Sequence, residues 1–275
     1  MPLNLITEEI QEQIQQTMLT PLAQDNAQTA IANIPAVLDA MYAAIPEKKR
    51  ISHGRFTTLK LLAEYLYEQL IITGLSPLET GGLIVNQCED YRAIGVGLGL
   101  LAIYGLDDYE SVLPYFEAAV QMDHWEPREH AQALFRKIVK QHRDEIRAYL
   151  LKWVQSDDPN LRRFVSEMLR PVVENRWLYQ DLDYSLSILR HLFAESHTYP
   201  RTSVGNNLSD IARRDPERVY ALVAELIAMD DKNARWIATR ACRNLVKKEP
   251  LRVMDLLRVD EYKYKKQVYK RSDYA

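Results

Sequence analysis

From residue 55 onward, apolar side chains recur at i, i+3, i+4 and i+7, the spacing that gives a helix one hydrophobic stripe. The pattern predicts helices over about 55–73, 89–105, 109–121, 126–141, 143–155, 159–170, 182–195, 201–213, 216–229, 233–246 and 250–258. Short turns carrying Pro, Asp or Asn separate them, as in "SDDPN", "RRDPER", "MDDKN" and "KKEPLR". Such residues stop one helix and cap or open the next. The apolar/polar alternation of a half-buried strand is absent, so the expected class is all-α.

The helices repeat. "WEPREHAQAL", "PNLRRFVSEM", "TYPRTSVGNN" and "KNARWIATRA" align, placing Arg128, Arg162, Arg201 and Arg235 in register at steps of 34, 39 and 34 residues. Between them "HRDEIRAYLL", "DPERVYALVA" and "EPLRVMDLLR" echo one another, with Pro216 and Pro250 34 residues apart. A helical pair at this period cannot bury its stripe alone, so neighbours stack into a HEAT-like helical-repeat solenoid, an α-α superhelix. The expected organisation is a helical cap over 1–85, repeats over 86–260 and a basic, tyrosine-rich tail over 261–275. Equivalent helices of a solenoid line one wall, so a recurring arginine predicts a concave basic face that binds an anionic partner. Any one of these arginines is equally well explained as a solvated residue or the partner of a nearby acid.

Composition narrows the picture. A hydrophobic content of 47% over 275 residues is that of a folded chain, and nine glycines and twelve prolines suit helices better than many tight turns. A net charge of −3 argues against a uniformly basic coat, yet residues 200–258 hold twelve Lys/Arg against eight Asp/Glu, while residues 1–50 hold three against six. Cys88 and Cys242 lack CxxC or Cys/His spacing, which predicts no disulfide framework and a reduced, cytoplasmic setting. The opening "MPLNLITEEIQEQIQQ" lacks the basic and apolar regions of a secretory signal. The run "AIGVGLGLLAIYGL" is too short to span a bilayer, and its glycines at 95, 97 and 99 lack dinucleotide-fingerprint spacing, so they predict close helix packing. His53, His124, His130, His142, His191 and His197 show no metal-ligand spacing, and no metal, cofactor or membrane partner is expected of what should be a monomer.

Three segments in order, "LLKWVQSDDPNLRRFVSEMLRP", "SVGNNLSDIARRDPERV" and "ARWIATRACRNLVKK", resemble the DNA alkylation repair family of HEAT-like glycosylases, the AlkC/AlkD superfamily. The resemblance covers about residues 88–258, and the elements "SxxNxLxDI" and "RWI…R…LxKK" are closest to the AlkC branch. It implies a basic groove for duplex DNA containing alkylated bases and metal-free hydrolysis of the N-glycosidic bond of a base such as N3-methyladenine. Such a base leaves readily because its ring already carries positive charge. The protein must stabilise an oxocarbenium-like sugar and direct a water, and one carboxylate does both. Aromatic faces help by attracting cations.

In "DHWEPREHA", Trp125 and Glu129 share a helix face, and the resemblance implies Glu129 as the catalytic carboxylate with Trp125 beside it. Glu126 competes, while Trp125 as a packing residue and Glu129 as a partner of Arg128 remain open. Asp210 is a second candidate carboxylate, or else a buried partner for the helix carrying Arg235 and Trp236. For DNA the resemblance implies Arg163 on a phosphate, Arg170 of the "RP" pair, the polar Asn206 and Asn207, and Trp236, Arg240, Arg243, Lys247 and Lys248, with Arg128, Arg162, Arg201 and Arg235 as the ladder. Arg162 has the alternative of pointing into a turn. The chain departs from the AlkD branch at Asn206 and Ser209, where an aromatic and an arginine stand. It departs from the AlkC branch at Met168 and Arg240, where a glycine and a histidine stand. These changes bear on activity more than on fold, and leave open a module that binds branched or distorted DNA, or a protein, without chemistry. The end "DEYKYKKQVYKRSDYA", with five basic residues among tyrosines, is either a stacking DNA contact or a frayed cap.

Overall fold

The computed structural model describes residues 4–50 and 54–274, which leaves His53 outside the described residues. It divides into two units, Met1–His142 and Arg143–Ala275. The boundary expected at 85/86 falls inside a helix of the first unit.

In the first unit α1 (Glu8–Ile14) and α2 (Thr20–Ala23) are joined by a π-helical turn, and α3 (Ala27–Ala43), α4 (Arg55–Thr73), α5 (Pro77–Gln87), α6 (Tyr91–Tyr104), α7 (Leu113–Gln121) and α8 (Trp125–Gln141) follow. Helix α6 is the centre and packs on α4, α5 and α8. It is buried on every side from Ala93 to Ala102, and its glycines make that possible. A Cβ on Gly95 would lie 2.5 Å from His130 Nδ1, and one on Gly99 2.5 Å from Ala63 Cβ. The glycine run is thus a packing device, as its sequence context predicts. Helices α1 to α3 and α5 are not among the helices expected from the pattern; α3 contains Pro35, and α5 holds Gly81 and Gly82.

The second unit contains α9 (Arg147–Val154), α10 (Pro159–Met168), α11 (Leu182–Leu189), α12 (Thr198–Ile211), α13 (Pro216–Ala228), α14 (Lys232–Ala241) and α15 (Pro250–Leu257). Helices α10, α12 and α14 pack side by side in one row. Their common design is visible at the N-termini: Asp158, His197 and Asp231 each cap a helix by accepting from the backbone N–H two residues on, as His124 does for α8. In the other row Arg218 reaches back to Asp183 (2.8 Å) and Arg252 to Glu217 (2.6 Å), so successive helix starts are stitched by equivalent ion pairs. These pairs are exposed, so solvent screens them and each contributes little to stability.

The C-terminal segment is an ordered β-hairpin and not a loose tail. Strand β1 (Glu261–Tyr264) pairs antiparallel with β2 (Gln267–Lys270), in register Glu261↔Lys270 and Tyr264↔Gln267, with Lys265 in the left-handed region at the turn. Tyr262 is buried and donates its hydroxyl proton to the Thr239 carbonyl (2.7 Å), fastening the hairpin to α14. Strands of four residues with one buried side chain leave too short an alternation to read.

Candidate nucleic-acid interface

The repeated arginine lies four residues after each N-cap, where the helix dipole disfavours positive charge. The structure shows what offsets that cost. Arg128 NH1 donates to the carbonyls of Met122 and Asp123 (2.8 and 3.1 Å), and Arg162 NH1 donates to those of Ser156 and Asp157 (2.8 and 2.9 Å). The same guanidinium thus ties down the same turn in two repeats. Arg162 also grips both oxygens of Glu195 (2.6 and 3.1 Å), a carboxylate that accepts from the His197 backbone N–H. Arg201 donates to Asn233 Oδ1 (2.7 Å) and Arg235 to the Leu257 carbonyl (3.0 Å). The ladder expected on an anion-binding wall is therefore built in large part into turns and repeat junctions.

A different set gathers where α10, α12 and α14 end. Asp210, nearly buried, receives Arg170 Nε at 2.7 Å, with Arg213 at 3.5 Å and Arg243 at 3.6 Å. Arg240 Nε and Arg243 NH1 share Asn206 Oδ1 (2.9 and 2.6 Å), and Arg243 Nε donates to Ser209 Oγ (2.8 Å). Gly205 allows this approach, since a Cβ there would stand 2.9 Å from Arg240 Cβ. Burial and the like charge of Arg243 lower the pKa of Arg240, whereas Glu167 and Asp210 overcome burial to raise that of Arg170. A neighbouring cleft of about 370 Å³ is lined by Arg170, Arg176, Tyr179, Asp210, Arg213 and Arg214, four guanidinium groups against one carboxylate. Tyr179 donates to the Asp210 carbonyl (3.1 Å) and lies under Arg214 (4.8 Å).

Several expected residues fall elsewhere. Asn207 is fully buried, its Nδ2 donating to the Ser166 carbonyl (2.9 Å), so it joins α12 to α10. Asp210 is paired with Arg170 and Arg213 from the ends of α10 and α12, and with Arg243 just past the end of α14, the helix that carries Arg235 and Trp236. Trp236 lies between Arg201 (4.7 Å) and Arg240 (5.4 Å), and Arg163 lies over Tyr199 (4.3 Å). Lys247 and Lys248 are exposed. Tyr179, Arg176, Arg213, Arg214 and Tyr199 escaped the sequence reading; "RRDPER" marks a turn there, and nothing in it indicates that its arginines face a cleft.

In the first unit, Trp125 opens α8 with 56% of its surface exposed, and Glu129 stands one turn on, half-buried, accepting from Gln132 Nε2. Glu126 and His130 share the other face and line a small cavity with Asp39, Tyr42, Arg55 and Arg92. Burial drives the His130 pKa down to about 4, although a hydrogen bond to the Tyr91 backbone opposes it. Among the described residues no cluster of three or more His, Cys, Asp or Glu could hold a metal ion, and no helix is long and apolar enough to cross a membrane.

Stacked amphipathic helix pairs with basic, polar ends define an all-α helical-repeat protein. The model of the DNA alkylation repair enzyme family matches residues 90–245, and the chain belongs to that family. The alkylpurine DNA glycosylase AlkC of Pseudomonas fluorescens, solved bound to DNA containing an abasic site analog, superimposes with a TM-score of 0.53 at 24% identity, covering 89% of this chain and 60% of that one. AlkD2 of Streptococcus mutans gives 0.59 at 18% identity, covering 78% and 98%. At these identities the likeness establishes the fold. The uncharacterized protein YhaZ of Bacillus subtilis (strain 168) is 30% identical over 151 residues, 53% of this chain and 40% of that protein. The chain thus matches less than half the length of this curated relative.

Proposed function

We propose that the protein binds duplex DNA and excises N-alkylated bases such as N3-methyladenine by hydrolysing the N-glycosidic bond. The observation that carries this reading is the cluster at the ends of α10, α12 and α14. Arg170, Arg213, Arg240 and Arg243 converge on two carboxylates, Glu167 and Asp210, and one amide inside the family-matched stretch, leaving excess positive charge for phosphates. Arg163 adds a further cation, while Arg128 and Arg162 hold turns. AlkC, a solved relative of the same fold, is an alkylpurine DNA glycosylase bound to DNA, which agrees with this partner and reaction class.

Glu129 is the proposed catalytic carboxylate, with Trp125 on the same face of α8 to meet a cationic base. As the C1′–N bond breaks, its electron pair leaves with the base and cancels the ring charge. The carboxylate stabilises the cationic sugar, a water oxygen bonds to C1′, and Glu129 takes the water proton. Asp210 is better suited to organising guanidinium groups than to accepting a proton, because three arginines surround it. A second reading, DNA binding without chemistry, is favoured by this same engagement of Asp210. Release of N3-methyladenine from methylated duplex by the wild type, lost in Glu129→Gln with DNA affinity kept, supports the glycosylase. Salt-sensitive binding with no release supports the second reading.

A further inference from the structure

A cleft of about 410 Å³ opens between α14 and the C-terminal hairpin, lined by Lys232, Arg235, Trp236, Thr239, Arg240, Tyr262, Lys263 and Tyr264. Four of these eight residues are cationic, three are aromatic and none is acidic. A stable fold has no need to collect uncompensated charge in one hollow, because like charges at close range destabilise it. The hairpin is not mobile decoration: the Tyr262 hydroxyl is pinned to the Thr239 carbonyl, and this holds Lys263 and Tyr264 over α14. Burial raises the pKa of the Tyr264 phenol, but the hydrogen bond and charge of Arg243 outweigh it and the net direction is down. That bond links the cleft to the arginine cluster.

We propose that this cleft is a binding site for a nucleoside phosphate that shares Arg240 with the cluster proposed to grip the duplex, with the cations taking the phosphate and the rings of Trp236 and Tyr264 taking the base. Guanidinium and ammonium groups complement phosphate, and aromatic side chains stack on any base with little sequence preference. The ligand chemistry has two sources, an unpaired nucleotide of a DNA strand or a free nucleotide. The inference deepens the nucleic-acid reading above but is tested independently of duplex binding and excision.

The probes are dAMP, a short single-stranded oligodeoxynucleotide and inorganic phosphate, each titrated into the full chain while tryptophan fluorescence is followed. The expected result is saturable quenching that is absent in Trp236→Phe and at least tenfold weaker in the double variant Lys263→Glu/Tyr264→Ala. Quenching by the oligonucleotide alone assigns the site to an unpaired strand, and quenching by dAMP alone to a free nucleotide. Quenching by neither, or equally by inorganic phosphate, overturns the proposal. Should Trp236→Phe fold poorly, the double variant Lys263→Glu/Tyr264→Ala, which keeps all four tryptophans, decides. Failure of the duplex reading would show separately, as absent binding to blunt duplex DNA.

Discussion

Arg162 and Glu195, on consecutive repeats, are joined by two hydrogen bonds, Nε to Oε2 at 2.6 Å and NH2 to Oε1 at 3.1 Å. Glu195 is almost wholly buried, so the pair is not a surface decoration. Loss of one partner leaves an uncompensated charge inside, and Arg162→Ala is expected to cost about 3 kcal/mol in urea unfolding. Burial pushes the Glu195 carboxyl up, but the Arg162 hydrogen bond, the His197 N–H and the arginine charge outweigh it and hold it below its ordinary 4.5. With a depressed folded value, this stabilisation is present above about pH 4.5 and fades as pH falls through the folded pKa. Glu195→Gln should therefore lose stability at pH 7 and converge on the wild type in acid.

His130 gives a second pH signature in the other unit. Its folded pKa is about 4 against an ordinary 6.5, so the unfolded chain takes up a proton first as pH falls. Stability is full above pH 6.5 and declines between 6.5 and 4, by on the order of 2–3 kcal/mol. Denaturation midpoints at pH 7.5 and 5 should differ for the wild type and differ less for His130→Gln. An unchanged difference in the variant would assign the acid sensitivity to another group.

The sequence made the repeat legible because 34-residue steps and N-cap residues are local signals. Helix α4 has the same limits, 55–73, in pattern and structure. The site was only partly legible. Arg170, Asn206, Asp210, Arg240 and Arg243 were all candidates and do meet, since motif order preserves repeat position. The jobs of Arg128 and Arg162 were not readable, because a guanidinium that donates back to carbonyls five and six residues earlier looks identical in sequence to one facing solvent. Asn207 was misplaced for a similar reason: adjacent asparagines differ by 100° around the helix, and only packing decides which one is buried.

Asp210 holds Arg170, Arg213 and Arg243 within 3.6 Å. In Asp210→Asn the arginines lose the counter-charge they share, with only Glu167 left beside Arg170, and the buried end of the cluster is expected to lose about 2–4 kcal/mol. Excision per folded molecule should fall far less than in Glu129→Gln if Asp210 organises and does not react. A complete loss of excision in well-folded Asp210→Asn would transfer the catalytic role to it.

Gly205 lets Arg240 lie across α12. A Cβ at this position would meet Arg240 Cβ and Cδ, both at 2.9 Å, while α12 itself remains able to form. Gly205→Ala is thus expected to displace Arg240 from Asn206 and weaken duplex binding several-fold, with a stability loss of about 1–2 kcal/mol from overpacking. Fluorescence anisotropy with labelled duplex and a thermal melt separate the two effects.

Arg163 is the proposed phosphate contact most open to a thermodynamic test. Each contact on B-DNA releases counterions and adds about 0.9 to the slope of log K against log salt. Arg163→Gln should flatten that slope by about one unit, weakening binding similarly for all duplex sequences. Arg162→Gln, a neighbour in sequence, should leave the slope unchanged while lowering the melting temperature, because its guanidinium is engaged by Glu195 and the turn carbonyls. Equal slope changes in both would mean that the Arg162–Glu195 pair opens when DNA binds.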